Sequence, residues 1–158
     1  MEFGREKKNN LTYASAGNGA INNLAGEWFK SATEINALHV PYKGDSAAVV
    51  DLSSNRVDFA FLAGVVAIPQ VQAGKLRVLA SASSDPAKGM QNTPVIGQKK
   101  VPGFAAEPWN GLMGPAGLPK EVVTKLNTAI NEIMSDPEVK AKLLTLDQYP
   151  FTGTPEQF

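Results

Sequence analysis

The chain has 158 residues, 43% of them apolar, with 15 Lys and Arg against 15 Asp and Glu. This length fits one domain, or one lobe with part of another, and the apolar share is well outside the disordered class. Balanced charge without a basic run among aromatics argues against nucleic acid as a partner, and the absence of cysteine excludes disulfides, thiolate metal sites and cysteine nucleophiles.

The first ten residues are polar and carry no signal-peptide core, so either a leader is missing or, if Met1 is the natural start, the protein stays in the cytoplasm. No apolar run reaches the length of a membrane span. Leu11 to Ala14 then reads as a strand that runs through Ser15-Ala16-Gly17-Asn18-Gly19 into a helix beginning near Ala20. Two glycines and a serine let the backbone approach a ligand, and the positive helix start favours an anion such as a carboxylate or phosphate. The plain alternative is a strand-to-helix turn capped by Ser or Asn.

The helix is expected from Ile21 to about Ser31, with Ile21, Leu24 and Trp28 on its inner side. Ala37 to Tyr42 reads as a second strand and Ser46 to Ser53 as a helix with Ala47, Val49 and Val50 inward. Arg56 to Leu62, nearly continuous in hydrophobicity, suits a buried parallel strand. Val65 to Ala73 is a further helix containing Pro69, and Leu76 to Ala80 a further strand. This alternation implies βαβ units and a parallel α/β sheet.

From Ser81 to Pro108, with Ser83-Ser84-Asp85-Pro86, Thr93-Pro94 and Val101-Pro102-Gly103, the chain is loop-like, a length that suits function or a crossover between lobes. Trp109 to Pro115 reads as a strand entering a Pro/Gly turn. Lys120 to Met134 has an apolar stripe of Val122, Val123, Leu126, Ile130 and Ile133 behind Pro119. Glu138 to Leu146 continues as helix, and Thr154-Pro155-Glu156 starts one more.

Catalytic constellations are scarce. His39, the only histidine, rules out a His-rich metal site and reads as a packed or strand-edge residue. Ser15, His39 and Asp58 are the only set for a hydrolase-like enzyme, and no nucleophile elbow, Walker sequence or complete dinucleotide fingerprint supports it. Asp51 and Asp58 read as local caps or neutralising partners, and Asp58 needs a partner if its strand is buried. Trp109, Tyr42 and Phe61 read as core, with a pocket lining as the alternative. Binding is favoured over catalysis; no metal and no cofactor are expected.

Leu11-Thr-Tyr-Ala-Ser-Ala-Gly-Asn-Gly19, Leu24-Ala-Gly-Glu27, His39-Val-Pro-Tyr-Lys-Gly44 and Val57-Asp58 follow in order. After them come Ala73-Gly-Lys-Leu-Arg77, Val101-Pro-Gly-Phe104, Trp109-Asn-Gly111, Gly114-Pro-Ala-Gly117 and Thr154-Pro-Glu156. Together this series resembles the Bug-type receptors, the substrate-binding proteins of tripartite tricarboxylate transporters. The resemblance implies a two-lobed, type II periplasmic binding protein fold, a small carboxylate ligand, membrane transporter subunits as partners, a periplasmic location and no enzymatic activity.

By the same resemblance, residues 11–104 are the second ligand-binding lobe, and residues 105–158 are the return strand and C-terminal helices of an incomplete first lobe. The ligand-binding set is Ser15, Ala16, Gly17, Asn18, Gly19, Ala20, Asn23, Leu62 and Ala63. Two departures stand out: Ala20 and Asn23 replace the family's usual Ser and His, and Leu62, Ala63 and Val66 form an apolar wall where polar residues are usual. The wall implies a less polar ligand, an aromatic or aliphatic monocarboxylate. Family members are about twice this long, so the stripe on 120–134 needs a partner surface, and a homo-oligomer through the C-terminal helices is expected. The alternative is a truncated oligomeric fragment without a specific ligand.

Overall fold

The structure, a computed structural model, describes residues 11–83, 93–99 and 101–157, and divides into two compact units, Met1–Pro108 and Trp109–Phe158. The polar residues 1–10 and the Ser84-Asp85-Pro86 part of the expected loop lie outside the described residues.

In the first unit, β1 (Leu11–Ser15), α1 (Ile21–Thr33), β2 (Ala37–Pro41), α2 (Asp45–Ser53), β3 (Phe59–Ala60) and α3 (Gly64–Gln72) alternate along the chain. The strands form a parallel sheet of order β2-β1-β3. Tyr13 stands in register with His39 on one side and Phe59 on the other. Successive side chains of a strand point to opposite faces. Leu11 and Tyr13 accordingly pack with Ala37 beside α1, whereas Ala14 packs with Ala48 of α2 and Val57.

The helix interiors depart from the expected stripes. On α1 the buried residues are Asn22, Ala25 and Gly26, while Leu24 is 57% and Trp28 42% exposed. The Tyr13 ring fills the space beneath α1, so only small residues fit on its inner side; a Cβ on Gly26 would collide with that ring. On α2 the buried pair is Ala48 and Val49, and Val50 points outward.

The expected strand at 56–62 pairs only over Phe59–Ala60, because the chain leaves the sheet to enter α3 at Gly64. Residues 76–80 form no strand; the neighbouring bridge is Ser81 with Val95. A β-prone segment becomes a strand only where a ladder partner lies alongside, which local hydrophobicity does not reveal. The stretch from Ser81 to Pro108 is more than a loop. It contains the short α4 (Ile96–Lys99), and Val101 and Phe104 pack with Ala25, Phe29 and Phe61 in a third core cluster.

The second unit contains α5 (Lys120–Ser135), α6 (Pro137–Thr145) and a 3-10 turn at Pro155–Gln157. Asp136 separates the helices: its Oδ1 accepts from the N–H groups of Glu138 and Val139, and Pro137 starts α6. Asn127 and Asn131 of α5 both donate to the Gly153 carbonyl, which fixes the terminal segment. The stripe on α5 stays open to solvent, with Leu126 44% and Ile133 54% exposed. The expected strand at 109–115 is absent, and Trp109, expected as core, is exposed.

Candidate functional site

The carboxyl ends of the parallel strands meet the amino ends of α1, α2 and α3. None of these helices has a side-chain cap on its first turn: the N-cap positions are Ala20, Gly44 and Ala63. The plain-turn alternative, in which Ser or Asn caps the helix after the glycine turn, is therefore not what forms.

Ser15 ends β1 fully buried, and its Oγ contacts both the N–H and the carbonyl of Gly17 at 3.1 Å. Gly17 has φ of 138°, a conformation that favours glycine, and Gly19 has φ of 78°. Ala16 and Gly17 are half-buried, and Asn18 and Gly19 are exposed. Asn22 Oδ1 accepts from the Ala16 N–H at 3.1 Å, and Asn23 Oδ1 accepts from the Gly19 N–H at 2.9 Å. Much of the loop's own donor capacity is thus turned inward, and its shape is set by side chains.

Leu62 and Ala63 lie at the β3-to-α3 junction, half-buried, with Val66 a turn further on. They join the glycine loop through two residues that pattern reading missed. Asn22 donates from Nδ2 to Asp45 Oδ1 at 2.6 Å, and the backbone of Ala63 hydrogen-bonds to Asp45 as well. Burial raises the pKa of Asp45, and the bonds from Asn22 and Ala63 oppose that rise. A signal did exist for each: Asn22 sits one position from the chosen Asn23, and Asp45 follows Gly44 as an acid in the first turn of a helix. Asp45, in the first turn of α2, thus places its carboxylate against Ala63, the N-cap residue of α3, and against Asn22 in the first turn of α1. The starts of α1 and α3 carry backbone N–H groups and a partial positive charge, part of which the Asp45 carboxylate answers.

A second network lies on the α1 side. Asn23 Nδ2 donates to Tyr13 Oη at 2.8 Å, and Tyr13 Oη donates to Glu27 Oε1 at 2.6 Å. Lys30 closes the chain on Glu27 at 2.9 Å. Burial, with the Glu27 bond next, pushes the Tyr13 pKa up to about 12; the Tyr13 bond and then Lys30 hold Glu27 below the usual carboxylate range.

The hydrolase set does not assemble. Ser15 Oγ does lie 2.6 Å from His39 Nε2. Asp58, however, stands on the other side of β1, where its Oδ2 accepts from the N–H and Oγ1 of Thr12 at 2.8 and 3.0 Å. The fully buried Ser15 also cannot reach a substrate. Asp51 is a local partner, accepting from Tyr42 Oη and Arg56 at 2.8 Å each. Among the described residues no group of three or more His, Asp or Glu is placed to hold a metal ion, and no helix among them is long and apolar enough to cross a membrane.

The whole chain, residues 1–158, matches the family described as tripartite tricarboxylate transporter family receptor. A Pseudomonas sp. (strain P51) protein of the tcbD-tcbE intergenic region is 33% identical over 157 residues, which is 99% of this chain and 47% of that one. An R. palustris protein solved with adipate superposes with a TM-score of 0.94 at 28% identity, over 99% of this chain and 52% of the other. The periplasmic binding protein BugD gives a TM-score of 0.85 at 28% identity, over 92% and 50%. The chain spans about half the length of such relatives. Its parallel α/β sheet is therefore that of a periplasmic binding protein. The chain belongs to the tripartite tricarboxylate transporter receptor family.

Proposed function

We propose that residues 11–104 serve as one ligand-binding lobe of a solute receptor, with a small carboxylate as ligand, and that residues 105–158 belong to a second lobe. The observation that supports this is the tie through Asn22 and Asp45 that holds the glycine loop beside the start of α1, a helix end without a side-chain cap whose partial positive charge favours an anion. The carboxylate would be taken by Ala16 to Ala20 with Asn23, beside Leu62 and Ala63, with the buried Ser15 shaping the loop from within. Leu62, Ala63 and Val66 offer apolar surface to the rest of the ligand, and the relative solved with adipate supports an acid with an aliphatic body. Family membership supports membrane transporter subunits as partners and the periplasm as location.

Thermal unfolding of the chain against adipate, aliphatic and aromatic monocarboxylates, citrate and aspartate tests this reading. A ligand that binds only the folded state raises Tm as its concentration passes Kd. The expected result is a selective rise with adipate or a monocarboxylate. The rise should be modest, since closure of two lobes supplies contacts and excludes water. A preference for citrate or aspartate would overturn the apolar-ligand assignment, and no rise with any acid would overturn the carboxylate assignment.

The open stripe on α5 favours a second reading alongside the first, in which two copies cover Val122, Leu126 and Ile133 against each other. Light scattering at micromolar concentration should then give a dimer or larger, and a monomer would defeat it.

A further inference from the structure

One imidazole touches the holders of both ends of the glycine loop. His39 Nε2 lies 2.6 Å from the buried Ser15 Oγ, which in turn meets the N–H and the carbonyl of Gly17. Asn23 Nδ2 lies 3.5 Å from His39 Nδ1 and 3.4 Å from Nε2, while Asn23 Oδ1 holds the Gly19 N–H. The ring is itself stacked on Tyr13, with centroids 4.8 Å apart and planes inclined by 23°. Tyr13 accepts the bond from Asn23 Nδ2. His39 is therefore fixed in position by stacking and meets the loop only through Ser15 and Asn23.

The hydrogen-bond roles select a tautomer. A hydroxyl has one proton and two acceptor positions. With Nε2 protonated, Ser15 Oγ accepts from His39 and from the Gly17 N–H and donates to the Gly17 carbonyl, so every contact is used. The bond from the Gly19 N–H fixes the Asn23 amide with its oxygen toward the loop and its NH2 toward the imidazole. That NH2 stands nearly equidistant from Nδ1 and Nε2, so it backs the imidazole without selecting its tautomer. The tautomer follows from the Ser15 contacts.

We propose that His39 is a positioning residue for the Ser15–Gly19 loop, held as the Nε2–H tautomer, which directs the Ser15 hydroxyl onto the Gly17 peptide and backs the Asn23 amide that grips Gly19. It touches no ligand; it sets the path of the backbone that does. Its effect on affinity rests on the carboxylate assignment above, whereas its effect on the loop does not.

The test combines the two. Nitrogen-proton correlation spectra of the imidazole in the full chain should show Nε2–H. In His39→Phe, which retains a ring for Tyr13 but no nitrogen, the Gly17 and Gly19 amide signals should move and their hydrogen exchange quicken, while that of Ala48 in α2 stays as it was. His39→Gln, with an amide donor, should restore much of the difference. Adipate affinity, where wild type binds it, should fall roughly three- to tenfold in His39→Phe, the scale of one lost hydrogen bond. An Nδ1–H tautomer, or unmoved Gly17 and Gly19 amides in a folded variant, would overturn the proposal. If His39→Phe does not fold, the wild-type tautomer and the Gln variant still decide it. If the loop results hold while wild type binds no acid, the positioning role stands and the carboxylate assignment falls.

Discussion

Asn22 and Asp45 are joined by a 2.6 Å hydrogen bond that ties the first turn of α1 to the first residue of α2. Asn22 is 7% exposed, and its other amide atom accepts from the Ala16 N–H, so one side chain fixes the glycine loop and the adjoining helix start together. Asn22→Leu, close in size, removes both bonds and leaves the Ala16 N–H and part of the Asp45 carboxylate unanswered. A loss of about 1–3 kcal/mol in unfolding free energy is expected, the cost of buried polar groups left unmade. Urea denaturation measures it, and an unchanged midpoint would show that the bridge contributes nothing to stability.

The same carboxylate gives stability a pH dependence. The pKa of Asp45 is raised in the fold, chiefly by burial. Between its ordinary value and the raised one the folded state holds more proton than the unfolded state, so stability declines as pH rises through that window. Asn at this position does not titrate. The stability of wild type relative to Asp45→Asn should therefore be greatest in acid and decrease toward neutral pH. Urea midpoints for both proteins between pH 3 and pH 7 follow this difference; one that grows with pH would contradict the assignment.

Glu27 has the opposite sign. Its pKa is lowered, first by the bond from Tyr13 and then by Lys30, so it contributes stability above its ordinary value that is lost as pH falls through the depressed one. Tyr13→Phe keeps the ring stacked between His39 and Phe59 and removes the hydroxyl. The Glu27 carboxyl should then titrate closer to the usual carboxylate range. Carbon-detected NMR titration of both proteins reads this directly, and an unmoved Glu27 would assign its depression to Lys30 and His39 without the hydroxyl.

The β1–loop–α1 unit was legible because its signals are local: an apolar strand, two glycines at a turn and a helical stretch behind them. The inner face of α1 was not. Ile21, Leu24 and Trp28 have ideal helical spacing, yet the Tyr13 ring already fills the space that large side chains would need, so Ile21 and Leu24 are exposed and Trp28 lies to the side, half covered by Phe104. Leu76 to Ala80 and Trp109 to Pro115 read as strands on composition, but pairing is a property of two segments, and no ladder partner lies beside either among the described residues. The glycine loop was found from Ser15 to Gly19, whereas Asp45, 23 positions from its partner Asn22, carried no local mark of that contact. His39 was read as a packed residue, and packing on Tyr13 is indeed part of its environment. Its contact with Ser15 depends on the register of β2 against β1, which spacing does not encode.

That packing beneath α1 sets the sign of a further substitution. By intrinsic propensity, replacing a mid-helix glycine by alanine stabilises a helix by about 1 kcal/mol. At Gly26 the added methyl would meet the Tyr13 ring, and the ring has little room to withdraw. It lies stacked with His39 and Phe59, and its hydroxyl is held by Glu27 and Asn23. Overpacking of this kind costs about 1–3 kcal/mol, which outweighs the propensity gain. Gly26→Ala should therefore lower Tm, and a Gly26→Ala, Tyr13→Leu double variant should lose less than the sum of the two single losses, because the smaller side chain admits the methyl. Calorimetry on the four proteins closes the cycle; a single Gly26→Ala variant more stable than wild type would mean that α1 does not rest on the Tyr13 ring.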